Sequence, residues 1–171
     1  MVRERDLTPR PRTVRAWHER APALDTVIGH AYASTMVGAA ATSGDHLDAD
    51  HVVSVGSPGM LADHASDLNV NSRAPIYASQ NDITQFATGT SLGPGPVDDN
   101  VMTRLNHGPG SPSFSATEVD SDKGHVLGPR WMQWASVPPI EAHPSYFGMG
   151  SAGLLNMGQI IAGDKPNHAA K

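Results

Sequence analysis

The chain has 171 residues, 39% hydrophobic and only 5% aromatic, with Gly 17 and Pro 14, so it has room for one domain with a modest core and long loops. A net charge of −5 argues against a general nucleic-acid-binding surface, and the absence of cysteine excludes disulfides and thiolate metal sites. No apolar stretch approaches the roughly 18 residues that a membrane-spanning helix needs. MVRERDLTPRPR lacks the apolar core of a secretory signal, so the chain reads as unexported, in the cytoplasm or another soluble compartment.

Residues 1–12 carry alternating charge, Pro9 and Pro11 without apolar periodicity, and read as a flexible basic arm ahead of a domain over 13–165 and a tail over 166–171. Thr13 can cap a short helix to about Arg20, with Val14, Trp17 and His18 on one face. Leu24 to Ile28 is a short run bounded by Pro22 and Gly29, too short for a helix, and predicts a buried strand. An Ala-rich helix over about Ala33–Thr42 follows it after a sharp turn.

The pattern recurs. His51 to Gly56 predicts a second strand leading into the rigid turn Ser57-Pro58-Gly59, and Pro75 to Ser79 a third leading into Gln80-Asn81-Asp82. Strands alternating with helices at this spacing predict a parallel α/β sheet of about four strands. Residues 88–112 read as a long loop, and Phe114 to Val119 as a last strand. A second loop holds Trp131, Trp134 and His143. Ser151 to Ala162 closes the chain as a helix with Leu154, Leu155, Met157 and Ile161 turned inward.

The turn between the first strand and its helix reads GHAYAST, Gly29 to Thr35. Strand, sharp turn and helix form the setting in which many hydrolases hold a nucleophilic serine, and small residues such as Gly29 and Ala33 suit its tight geometry. The serine position is Ala31. A hydrolytic serine needs a base, an acid to orient the base, and backbone donors for the oxyanion. The order nucleophile, acid, histidine after successive strands is matched by Ala31, Asp82 and His143.

These stretches resemble an actinobacterial α/β-hydrolase family of unknown function whose elbow usually reads Gly-His-Ser-Tyr-Gly-Ser-Thr. The match holds at Gly29, His30, Tyr32, Ser34 and Thr35 and departs at Ala31 and Ala33. VVSVGSPGM resembles that family's next strand and turn, YASQNDIT its acid loop and EAHPSYF its histidine loop, so that the likeness runs over about residues 13–165. It implies a truncated α/β-hydrolase-like fold related to serine esterases and lipases, with the counterpart of Asp82 orienting that of His143 and the Tyr32 N–H donating to the oxyanion. It also implies a small acyl ligand. Ala31 implies inactivity, because a methyl group cannot attack a carbonyl.

Other readings stand beside these. Asp82 after a strand is equally suited to capping a turn, and His143 before Pro144 to an ordinary loop. His30 suits packing or hydrogen bonding better than base catalysis, and Ser34, about one helical turn past the elbow, would face away from the site. His46, His51 and His64 flank the second strand, but no helix carries the HExxH spacing, and no metal or cofactor is expected. Gly89 to Gly95 lacks the GK[ST] ending of a phosphate cradle. Only about 24 residues precede the elbow strand, so Thr26 to Ile28 would lie at an open sheet edge, and self-association or incorporation into a larger assembly is expected to cover it.

Overall fold

A computed structural model describes residues 24–44, 46–71, 75–79, 92–93, 114–121 and 142–167. The expected arm, the Thr13–Arg20 helix, Asp82, most of the long loop and the segment with Trp131 and Trp134 lie outside those residues.

Strands β1 (Thr26–His30), β2 (His51–Val55), β3 (Ile76–Ser79) and β4 (Thr117–Glu118) form one sheet in the order β1-β2-β3-β4, parallel throughout. Helix α1 (Tyr32–Thr42) follows β1, the one-turn helix α2 (Ala142–Ser145) precedes α3 (Ala152–Ala162), and a 3₁₀ turn spans Ala65–Asp67. The described residues thus form an α/β-hydrolase-like parallel sheet with flanking helices. No helix among the described residues is long and apolar enough to cross a membrane.

Alternation along the strands sorts the core into two faces. Val27, Val52 and Ile76 join Val37 and Ala41 of α1, with Ala49, Met60, Leu68 and Phe114, on one side. Ile28, Val53, Val55 and Tyr77 join Tyr146 and Leu154, Met157 and Ile160 of α3 on the other. A parallel sheet covered on both faces needs such near-continuous apolar strands, and β2 is buried from Val52 to Val55. Gly38 lets α1 lie directly on the backbone of Met60, where any β-carbon would collide.

Several expected boundaries move for local reasons. The first strand begins at Thr26, because Asp25 is held outside it: its N–H donates to Asp50 Oδ2 (2.8 Å) and its carbonyl accepts from Asp50 N–H (2.8 Å). β2 stops at Val55 because Gly56 turns to φ 54°. The last strand shrinks to Thr117–Glu118, since Ser115 takes φ 62°, a left-handed conformation that breaks extended pairing. In α3 the inward face is Gly153, Asn156, Met157 and Ile160, so Leu155 and Ile161, expected inward, are 58% and 52% exposed. At about 100° per residue, each lies well off that stripe.

Candidate active site

The C-terminal end of β1 builds the elbow. Ala31 has φ 53° and ψ −130°, a conformation that residues with a β-carbon rarely adopt. Its N–H still donates to Val55 O (2.9 Å), so the chain leaves the sheet only after this residue, and Ser34 N–H closes the turn on Ala31 O (3.0 Å). Reversing so sharply brings the first turn of α1 back against the strand. A β-carbon on Gly29 would lie 2.6 Å from Ser34 Cα, an overlap with backbone that no rotamer can relieve. Glycine is therefore required at that position.

A second turn supports the elbow from below. Gly59 N–H donates to Ser57 Oγ (3.1 Å), which lies 2.6 Å from Ser34 Oγ, and the Ser34 hydroxyl bonds to Ala31 O. Thr35 Oγ1 donates to Gly59 O (2.8 Å). A hydroxyl has one proton, so the chain runs in one direction: Gly59 N–H to Ser57, Ser57 O–H to Ser34, Ser34 O–H to Ala31 O. Ser34 is fully buried and committed to this chain, so it is no substitute nucleophile. The buttress from Ser57 was not anticipated from sequence, although the rigid Ser-Pro-Gly turn was its visible trace.

Tyr32 begins α1, and the first N–H groups of a helix have no partner within it. The Tyr32 N–H thus sits next to Ala31 at the positive end of the helix dipole. Tyr32 is 67% exposed, and Ala33 is exposed beside it.

His143 stands on α2 rather than in an open loop, and is half-buried. Its backbone carbonyl lies 3.1 Å from His30 Nε2, and the two imidazole rings pack with centroids 4.4 Å apart. The rings of Tyr146 and Phe147 meet His30 edge-on at 6.1 and 5.1 Å. α2 is in turn tied to α3: Ser151 Oγ donates to Tyr146 O (3.0 Å), and Gly153 fits under that same carbonyl. The fold therefore brings the His143 segment to the residue that immediately precedes the elbow.

The remaining histidines near β2 occupy three separate settings. His46 Nε2 and Nδ1 lie 2.8 and 3.3 Å from Oδ1 of Asn71 and Asn69, and these bonds raise its pKa above 6.5, with a smaller contribution from Asp48. His51 Nδ1 lies 3.4 Å from Thr26 Oγ1, and its ring is edge-on to Tyr77, whose hydroxyl pKa is raised by burial. His64 caps the 3₁₀ turn with Asp67. Among the described residues no three His, Asp or Glu side chains converge as a metal site would require.

Residues 11–92 match the family model described as alpha/beta hydrolase. No curated protein and no solved structure matches the chain. The matched span holds β1, the elbow, α1, β2, β3 and Asp82, and it stops short of His143 and α3, so it is narrower than the likeness read over residues 13–165.

Proposed function

We propose that this protein is an α/β-hydrolase relative of serine esterases whose acyl-transfer site has an alanine at the nucleophile position and is catalytically silent as it stands. The observation that carries the reading is the backbone of Ala31. Its φ 53° and ψ −130° hold the strained strand-to-helix turn that presents a serine hydroxyl in hydrolases, although alanine gains nothing from being there.

The roles proposed rest on the elbow at Ala31 and on the chain order Ala31, Asp82, His143. Residue 31 is where a serine would attack an acyl carbonyl, Tyr32 N–H faces the oxyanion that would form, and Gly29, His30 and Ala33 shape the elbow. His143 would take the serine proton and return it to the leaving alcohol, with Asp82, just past β3, orienting its ring. A small acyl ester is the ligand that this chemistry would take. Without the hydroxyl no covalent step can start, and only binding and oxyanion interactions remain.

The test is hydrolysis of a short activated acyl ester by the protein, by Ala31→Ser, and by Ala31→Ser with His143→Ala. Turnover is expected in Ala31→Ser alone, with the histidine change lowering kcat by about a thousandfold or more. Absence of turnover from folded Ala31→Ser protein overturns the reading.

A second reading rests on β1, which has one hydrogen-bonding neighbour, β2, among the described residues. An edge strand is a template for pairing with another chain, which favours a structural or interaction module built from this fold. Sedimentation separates the two: a monomer at micromolar concentration counts against assembly through this edge.

A further inference from the structure

We infer that His30 is a positioning residue, a donor that sets where the His143 segment sits at the mouth of the elbow; the inference rests on reading His143 as the base position. His30 is the last residue of β1, and alternation turns its side chain to the face that carries Ile28, Tyr146 and α3, opposite to the face where α1 lies. It is therefore placed between the elbow and α2.

Its contact with α2 fixes its own proton. A carbonyl oxygen can only accept, so Nε2, 3.1 Å from His143 O, must carry the hydrogen. The same ring packs on the His143 imidazole and is flanked by Tyr146 and Phe147. α2 is four residues long and cannot hold its orientation through its own helical bonds. One end of this segment is anchored to α3 through Tyr146 and Ser151. His30 anchors the other, by a hydrogen bond spanning 113 positions of sequence.

Two substitutions separate the donor from the ring. His30→Gln keeps an N–H at similar reach and loses the aromatic contact; His30→Phe keeps the ring and loses the donor. In the protein carrying Ala31, the backbone carbonyl carbon resonance of His143, the acceptor of this bond, is followed by NMR. His30→Phe is expected to move that carbonyl resonance upfield, as loss of an accepted hydrogen bond does, and His30→Gln to restore most of the shift. Both variants lose the imidazole and only His30→Gln keeps an N–H, so recovery in His30→Gln identifies the donor.

In the Ala31→Ser background, His30→Phe is expected to lower kcat by about ten- to a hundredfold with KM little changed, as a misplaced catalytic group does. His30→Gln should recover to within about threefold. A His143 carbonyl resonance indifferent to His30→Phe, or an unchanged kcat in the Ala31→Ser background, would overturn the assignment. If folded Ala31→Ser has no activity, the hydrolase reading fails, and the NMR comparison alone decides whether His30 places His143.

Discussion

Helices α1 and α3 are each eleven residues long, yet they start by different means. α3 follows local rules at both ends. Ser151 Oγ accepts from Leu154 N–H (3.1 Å), and Gly163 ends the helix in the left-handed conformation, with its own N–H and that of Asp164 returning to the last turn. At the start of α1 stands Ala31, with no side chain able to cap, in a conformation that penalises any β-carbon. A chain that obeys local preference in one helix and departs from it in the other points to the second as the place where geometry serves something besides stability.

The largest expected effect comes from removing the space that makes the departure possible. Gly29→Ala sets a β-carbon against the Ser34 backbone and should destabilise the fold by about 3 kcal/mol. Urea unfolding would measure it. A loss below about 1 kcal/mol would mean that the elbow relaxes readily and that its tightness imposes little.

The contrast also explains what sequence reading can and cannot reach. The β-branched run 26–28, the valine-rich stretch 51–55 and the Ala-rich stretch after the first of them announce strand, turn and helix, because each signal is local. The small residues around Ala31 made the elbow legible as well. Ser57, His30 and the carbonyl of His143 were not legible as partners, since Ser34 and Ser57 are 23 positions apart, and His30 and His143 are 113. Only the assembled sheet brings them together. The first strand began late because Asp25 and Asp50 trade bonds across a loop, a pairing that β-propensity does not encode. Leu155 and Ile161 misled for a related reason: hydrophobicity marks a residue as able to be buried, whereas the sheet chooses the stripe, and here it chose one containing Gly153 and Asn156. Asn156 is buried because its amide donates to Asp120 O (2.7 Å) and its carbonyl accepts from Asn167 N–H (2.8 Å).

A pair of substitutions at the two helix starts should have opposite signs. Ser151→Ala removes the acceptor for Leu154 N–H and should cost about 1 kcal/mol. Ala31→Gly relieves the positive-φ strain, offset in part by the greater freedom of glycine in the unfolded chain, and should stabilise by about 1 kcal/mol. Thermal unfolding of both proteins against the parent reads the two directions at once. If Ala31→Gly is destabilising, the elbow is not strained, and the main support for reading it as a hydrolase site is withdrawn.

The smallest effect lies away from both helix starts, at the surface network that joins the segment after α1 to the one before β3. His46 reaches Oδ1 of Asn71 and Asn69, while Asn71 Nδ2 donates to Asp48 Oδ1 (3.3 Å), all beside the single parallel bridge between Leu47 and Val70. Two amide oxygens can accept from both ring nitrogens only when the imidazole is protonated, so the bonds to Asn71 first and Asn69 second raise the folded pKa above 6.5. The sign follows from linkage. The folded state holds the proton more tightly, so this contribution is fully present below the unfolded value near 6.5 and is lost as pH rises through the higher folded value. His46→Gln should therefore differ from the parent more in acid than in base, by a small amount because the ring is solvent-exposed. Unfolding midpoints of both proteins, well below and well above 6.5, provide the comparison. A gap between parent and variant that widens with rising pH would mean that the neutral ring makes the bonds to the asparagines, and the protonated network would have to be abandoned.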